Sequence, residues 1–304
     1  MTANPITAAL LRRWPLPRPD EEGSKEERGR VLVFAGSPEM PGAAVLAGGS
    51  ALRAGAGTLQ IATVASVAPH VAVAVPEARV FALPQTRGGA IDAAGVGAVA
   101  EYVGAARAVL VGPGMVDEEA TARLTKALLP HLSGDAVLVL DANALNALAA
   151  RPRLLASLGG RAILTPHATE MSEITGESED SIKAGPAGCA RRAAEKFGAV
   201  VALKGRETFV AGPGVERVHV NRAGNVGLAT SGSGDTLAGL VAGLAARGAD
   251  PLRAALWGVH VHALAGERLA RRAGTLGYLA RELPDEFPVV ISLLEARARR
   301  RAGR

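Results

Sequence analysis

The chain has a single cysteine, Cys189, so it can form no intrachain disulfide and no cysteine-rich zinc or iron-sulfur site. Aromatic residues are scarce as well, with five Phe, two Tyr and two Trp among 304 residues. Proteins that bind single-stranded nucleic acid stack bases on such rings and gather basic residues on one face. Here the formal charge is only +5, and residues 297–304 (RARRRAGR) carry five arginines. That tail reads as a solvated helix end rather than a binding patch, and no nucleic-acid partner is expected. The N-terminus lacks the basic start, sustained apolar stretch and cleavage site of a secretory signal. Residues 54–76 form the longest uncharged run, yet Gln60, Pro69 and His70 interrupt it. It reads as two buried strands and a turn rather than a membrane span. There is no Walker A sequence and no GxGxxG after a strand, which removes the ordinary P-loop and dinucleotide-binding routes.

What is present is apolar: 48% of the chain is hydrophobic and 21% charged. A chain of this length can bury about three quarters of its unfolded surface without disulfide or metal, and a reducing cytoplasm suits the cysteine usage. Short runs rich in Val, Ile and Leu recur at 30–36, 58–64, 108–114, 136–143, 161–167 and 199–205. Continuous apolar runs of this length suit strands covered on both faces. Helix-like stretches lie between them, including MPGAAVLAGGSALRAGAG, DEEATARLTKALLPHL and PAGCARRAAEKFG. The alternation predicts an α/β fold with a mainly parallel central sheet flanked by helices. Residues 208–213 and 217–221 read as a β-hairpin, and the chain after Gly234 turns helical. The expected division is an N-terminal arm over 1–29, one catalytic domain over 30–292, and a basic tail over 293–304.

In an open parallel sheet, ligands bind outside the carboxyl ends of the strands. Polar punctuation falls there five times: Gly36-Ser37, Gly112-Pro113-Gly114, Asp141-Ala142-Asn143, Thr165-Pro166-His167 and Lys204-Gly205. The sharpest segment is NVGLATSGSGDTLAG, residues 225–239. Gly232, Ser233 and Gly234 precede an apolar helix, so their amides can form an anion hole reinforced by the helix dipole. Asp235 follows in the first turn. A carboxylate beside a bound phosphate suggests a general base for a hydroxyl that attacks it; the plainer alternative is an Asp serving the helix N-terminus electrostatically.

With these residues in place, the chain resembles the ADP- or ATP-dependent NAD(P)H-hydrate dehydratases of the ribokinase-like superfamily. The matching elements run from VLVFAGSPEMPGAAVLAGGSALRAGAGTLQIAT through VGPGM, LDANALNAL, LTPHATE and ALKGRET to GLATSGSGDTLAGLVAGLAARG. GxGD is shared by kinases of the superfamily, whereas the PGAA, TPH.TE and KG..T set is specific. The resemblance implies a ribokinase-like three-layer sandwich. It implies that Ala43, Gly114, His167 and Asp235 contact a hydrated NADH or NADPH. Lys204, Gly205, Arg206, Glu207, Thr208 and Gly234 would hold ADP or ATP, with Mg²⁺ as the accompanying ion and no metal ligands assigned. The implied chemistry is phosphorylation of the ring hydroxyl of the S epimer, followed by elimination of phosphate. Homo-oligomeric assembly is implied as well. So is a separate epimerase for the other epimer, because the stretch before Arg30 is too short to hold the epimerase domain that many bacterial relatives carry. The rival readings are a small-molecule kinase of the same superfamily, acting on a hydroxymethylpyrimidine or a sugar, and a non-catalytic nucleotide sensor.

One departure from the family pattern bears on the site. The DAD segment common in the family is Asp141-Ala142-Asn143 here, and an amide at 143 keeps hydrogen-bonding capacity but loses charge. Of the remaining candidates, His260 and His262 stand two apart on an expected helix and so face different ways, unsuited to joint metal binding. Cys189 reads as a small buried residue rather than a nucleophile.

Overall fold

The computed structural model describes residues 3–18, 24–25 and 27–302, with side chains through residue 296. Its strands are β1 (Asn4–Pro5), β2 (Arg30–Phe34), β3 (Thr58–Val64), β4 (Ala78–Leu83), β5 (Ala108–Val111), β6 (Val137–Leu140), β7 (Ala162–Leu164), β8 (Val200–Leu203), β9 (Thr208–Ala211) and β10 (His219–Asn221). Its α-helices are α1 (Ala8–Arg13), α2 (Pro41–Arg53), α3 (Ala68–Ala74), α4 (Ala100–Ala105), α5 (Glu118–Leu128), α6 (Ala168–Thr175), α7 (Glu179–Ala184), α8 (Pro186–Phe197), α9 (Ser233–Ala246), α10 (Pro251–Ala273) and α11 (Leu283–Ala302).

All the strands join one sheet in the order β1-β10-β9-β8-β7-β6-β5-β2-β3-β4. From β2 to β8 they run parallel, with Val33 set opposite Ile61 of β3 and Leu110 of β5. β9 and β10 form the expected antiparallel hairpin beside β8. The continuous apolar runs explain the arrangement: every residue of β5, β6, β7 and β8 is buried, as strands covered on both faces require. Right-handed crossovers place α2, between β2 and β3, on the face opposite α5, between β5 and β6. This is the expected sandwich of two helical layers around a mainly parallel sheet.

α2, α9 and α10 pack together on one face. A Cβ added to Gly239 of α9 would stand 2.1 Å from the Ala47 carbonyl oxygen of α2, so only glycine lets the two backbones approach so closely. That contact brings the N-terminal ends of α2 and α9 to the same edge of the sheet, which is where the site forms.

Three sequence expectations need correction. The second strand expected before Pro76 is helix α3, and the edge strand β4 follows it. Pro69 occupies the first turn, where no N–H is required. Ala68 and Val71 are buried, while Val73 faces solvent. The Val-Ala alternation therefore belongs to a helix with one covered face. Residues 4–16, expected as an arm, are built into the fold: β1 pairs with β10, and Ile6, Leu11 and Leu16 are buried. The Trp257 indole donates to the Trp14 carbonyl at 2.8 Å, and Arg253 donates to the Pro15 carbonyl at 2.9 Å. At the other end, α11 runs through the expected boundary at 292 and buries Leu294. The expectation of solvated arginines over 297–304 lies outside the described side chains.

Candidate functional site

The chain leaves β2 for β3 on one side and later returns to β5 on the other, so the loops after β2 and β5 diverge and open a crevice at their carboxyl ends. The Gly36 amide donates to the Pro113 carbonyl at 2.8 Å, joining the two loops. A Cβ on Gly114 would lie 2.4 Å from the Ala43 methyl and 2.8 Å from the Met40 carbonyl oxygen. Two of the expected substrate contacts, Ala43 and Gly114, are thus brought against each other. Asn143 holds this wall from the next strand: its Nδ2 donates to the Met115 carbonyl at 2.7 Å. A carboxylate there could not make that bond, so the amide at 143 has a positive structural use.

The expected anion hole lies at the start of α9. Gly232 caps the helix with φ +85°, and Ser233, Gly234 and Asp235 make its first turn. Among the described residues, the amides of Gly234 and Asp235 have no hydrogen-bond partner, so both donors are free for an anion. His262 of α10 braces this turn from below: its Nε2 lies 3.1 Å from the Ser233 carbonyl and 3.2 Å from the Thr236 hydroxyl. Burial lowers the His262 pKa to about 4, with the Ser233 carbonyl opposing and the Lys204 charge adding to it, so the ring is neutral and acts as a brace. His260 turns away to the Asn221 amide oxygen at 2.8 Å, as the two-residue spacing predicts.

Beside the anion hole lies a charge cluster drawn from four separate segments. Lys204, at the end of β8, donates through Nζ to Asp141 Oδ1 at 2.9 Å and stands 3.8 Å from Glu170 Oε2. Its Nζ is 3.6 Å from where a Cβ on Gly234 would be, which places the ammonium at the mouth of the anion hole. Asp141 is buried, and its Oδ1 also accepts from the Thr165 hydroxyl at 2.7 Å. Burial alone would lower the Lys204 pKa, but Asp141, Glu170 and Asp235 outweigh it and hold the ammonium above its ordinary value. Asp235 is moved the other way. Burial, with the Asp141 charge adding to it and Lys204 opposing, raises its carboxyl to about 6. A carboxylate with its pKa near working pH is suited to accept and return a proton.

His167 caps α6 and keeps about half of its side chain exposed at the crevice. The rest of the KGRET segment behaves differently from Lys204. Gly205 and Arg206 are exposed in the turn between β8 and β9, Glu207 pairs with Arg222 at 2.8 Å, and Thr208 opens β9 opposite Asn221. Only Lys204 of that segment directs its charge at Asp235. Cys189 is buried, and burial raises its thiol to about 11, which fits a packing role.

Sequence reasoning assigned no role to Asp141, Glu170, Thr165 or His262. Of these, Glu170 was legible: a Glu three residues after a helix-capping residue is the spacing of a capping box, and His167 and Glu170 form one. Asp141 stands 63 residues from Lys204, and only the sheet joins them.

The residues at the crevice fit a phosphate-borne Mg²⁺. This ion keeps several waters and takes one or two carboxylates along with phosphate oxygens rather than a dedicated protein cage. Among the described residues no three His, Cys, Asp or Glu side chains form such a cage. Among the described residues, however, Asp141 Oδ2 has no hydrogen-bond partner, and it lies 4.0 Å from where a Cβ on Gly234 would be.

Comparison with known proteins places the chain among nucleotide-dependent repair enzymes. A family model described as NAD(P)H-hydrate dehydratase matches residues 31–289. An ADP-dependent (S)-NAD(P)H-hydrate dehydratase of Xanthomonas campestris is 51% identical over 95% of this chain and 96% of its own length. The ADP/ATP-dependent NAD(P)H-hydrate dehydratase of Bacillus subtilis, solved after co-crystallisation with ATP/Mg²⁺, is 31% identical. It superposes with a TM-score of 0.79 over 97% of this chain and all of that one. A ribokinase-like superfamily protein of Enterococcus faecalis shares the fold at a TM-score of 0.82 and 22% identity, with 96% of each chain covered.

Proposed function

The chain belongs to the NAD(P)H-hydrate dehydratase family, and from that membership we propose how its crevice performs the reaction. The protein is an enzyme of the lyase kind that returns hydrated NADH or NADPH to the reduced cofactor at the expense of ADP or ATP. The observation that carries the mechanistic reading is Asp235: a carboxyl raised to about 6, set beside a free-amide helix start and an ammonium.

In this reading Asp235 takes the proton of the ring hydroxyl as that oxygen attacks the terminal phosphoryl group. Lys204 and the amides of Gly234 and Asp235 receive the charge that develops on the phosphoryl oxygens. Ala43 and Gly114 make the wall against which the hydrated ring rests, and Gly205, Arg206, Glu207 and Thr208 form the turn that leads the rest of the nucleotide away. Asp141, through Oδ2, would hold Mg²⁺, which when bound would neutralise phosphate charge. The C–O bond then breaks with its electron pair leaving on phosphate, the ring nitrogen supplies electrons to the carbon, and loss of a neighbouring proton restores the dihydronicotinamide. The products are reduced cofactor, inorganic phosphate and AMP from ADP, or ADP from ATP.

The relative's name specifies the S epimer, so a separate epimerase supplying S from R is part of the proposal. A cytoplasmic location and homo-oligomeric assembly complete it. No helix among the described residues is long and apolar enough to cross a membrane. Val289 and Leu293, one turn apart on α11 and both exposed, are apolar surface that assembly would cover. The test is incubation of the S hydrate with Mg²⁺ and each nucleotide: reduced-nicotinamide absorbance should rise in step with phosphate release. A stable phosphorylated product would move the protein to the kinase reading.

A further inference from the structure

Hydrated NADH and NADPH are dinucleotides, and a diphosphate lies one ribose away from the ring that reacts. In the proposed reading the phosphoryl donor takes Lys204 and the free amides of α9, on the β6 to β8 side of the crevice, while the ring rests on Ala43 and Gly114. The rest of the substrate then leaves over the other side, where β2, β3 and β4 end. The loops at that edge are 35–40, 65–67 and 84–92, with 112–117 after β5. They hold three acids, Glu39, Asp92 and Asp117, and a single Lys or Arg, which is Arg87. Asp92 and Asp117 are taken up as helix caps, accepting from the Ala94 amide at 2.9 Å and the Ala120 amide at 3.0 Å. Arg87 is exposed and, among the described residues, makes no ion pair.

The backbone beneath Arg87 is fixed. Gln85 and Ile91 pair across the loop, the Thr86 amide donates to the Ala90 carbonyl at 2.9 Å, and the Gly89 amide donates to the Thr86 carbonyl at 3.0 Å. Arg87 and Gly88 are thus the two central residues of a tight turn, anchored by the buried Ala90 and Ile91. That turn touches both loops that make the crevice wall. A Cβ on Gly89 would lie 3.0 Å from Pro38 Cδ, and a Cβ on Gly88 would lie 3.8 Å from Asp117 Oδ2. Pro38 stands two residues before Met40, whose carbonyl oxygen meets Gly114, and Asp117 stands three residues after Gly114.

We propose that Arg87 binds the diphosphate of hydrated NADH or NADPH, and so is a specificity residue that fits the crevice to a dinucleotide. A guanidinium offers paired N–H donors to phosphate oxygens and keeps its charge at every working pH. Without Arg87 the loops at this edge would carry acids alone and would repel a diphosphate. The turn adjoins the two loops that carry the ring contacts, and the diphosphate is the anionic group nearest the ring. The 2′-phosphate of NADPH lies a nucleoside farther on, so Arg87 serves both cofactors alike. This inference rests on the dehydratase reading.

The test is turnover of the S hydrates of NADH and of NADPH by the full-length protein over a range of salt concentrations. Arg87→Ala should raise KM by about 10-fold for both hydrates, the loss of one charge-assisted contact. The same variant should keep kcat at saturating hydrate within about threefold and leave KM for ADP unchanged. Arg87→Lys, which keeps the charge without the paired donors, should recover part of the loss, and Arg87→Glu should exceed it. KM of the wild type should also climb with ionic strength more steeply than KM of the Ala variant, a response that a merely structural role would not produce. A KM change confined to the NADPH hydrate would move Arg87 to the 2′-phosphate and overturn the diphosphate assignment. Equal KM values for wild type and Arg87→Ala, or a loss for ADP as large as for the hydrates, would overturn the proposal altogether. If the wild-type protein acts on neither hydrate, the dehydratase reading falls and takes this inference with it, an outcome distinct from turnover that is indifferent to Arg87.

Discussion

Replacing Asp235 with Asn should abolish turnover and at the same time make the protein more stable. The two effects have one cause, the buried charge at the start of α9. The carboxyl rises from its ordinary 3.8 to about 6, chiefly through burial, which corresponds to about 3 kcal/mol held against the ionised form. The sign follows from linkage: a group whose pKa is higher in the folded state costs nothing below its unfolded value, and its full cost is present above its folded value. Asp235→Asn removes that cost, so the variant should exceed the wild type by up to about 3 kcal/mol above pH 6. The two should converge below about pH 4. Catalysis should fall by about two to four powers of ten, because the amide cannot accept the hydroxyl proton. In the wild type, kcat/KM should fall as pH drops below about 6, where Asp235 is protonated. The assays are chemical denaturation across pH and coupled measurement of reduced nicotinamide and phosphate. Near-normal turnover by the Asn variant would refute the catalytic assignment, and a stability difference that does not change with pH would refute the electrostatic argument.

Other perturbations separate the parts of the site. Lys204→Ala should weaken ADP and ATP binding and, by leaving the buried Asp141 carboxylate without its cation, cost about 3–5 kcal/mol of stability; Asp141→Asn in the same chain should restore much of the stability but not the nucleotide affinity, as read by calorimetry. Asn143→Asp should lose the donor to the Met115 carbonyl, raise KM for the hydrate and lower stability by about 1–3 kcal/mol near neutral pH; unchanged KM and thermal unfolding would show that the Gly112–Met115 wall does not depend on that bond. Gly239→Ala should destabilise by about 1–3 kcal/mol or more in thermal unfolding, since its methyl would meet the Ala47 carbonyl oxygen at 2.1 Å.

The helix start at residues 232–235 and its first-turn acid could be read in the sequence because a helix N-terminus with open amides is a local device: adjacent backbone amides and one helix dipole supply it. The parallel strands were equally legible, since strands buried on both faces need unbroken apolar runs. Local pattern misled at residues 65–76. There, alternating Val and Ala satisfied the strand period, while a helix with Ala68 and Val71 inward satisfied the packing.

What the amino-acid order determined by itself is therefore the sheet, the helix that begins within GSGD, and the place of Asp235 in its first turn. The tertiary structure alone decided what Asp235 is chemically. Its pKa depends on Asp141 from β6 and Lys204 from β8, brought beside it by the parallel order of the sheet. Tertiary contact also turned Asn143 from a missing acid into the tether of Met115, whereas the His167 ring is held by the first turn of its own helix. Electrostatic coupling falls off with distance through space and is blind to separation along the chain. Four charges from four segments could thus become one site only when the sheet had assembled.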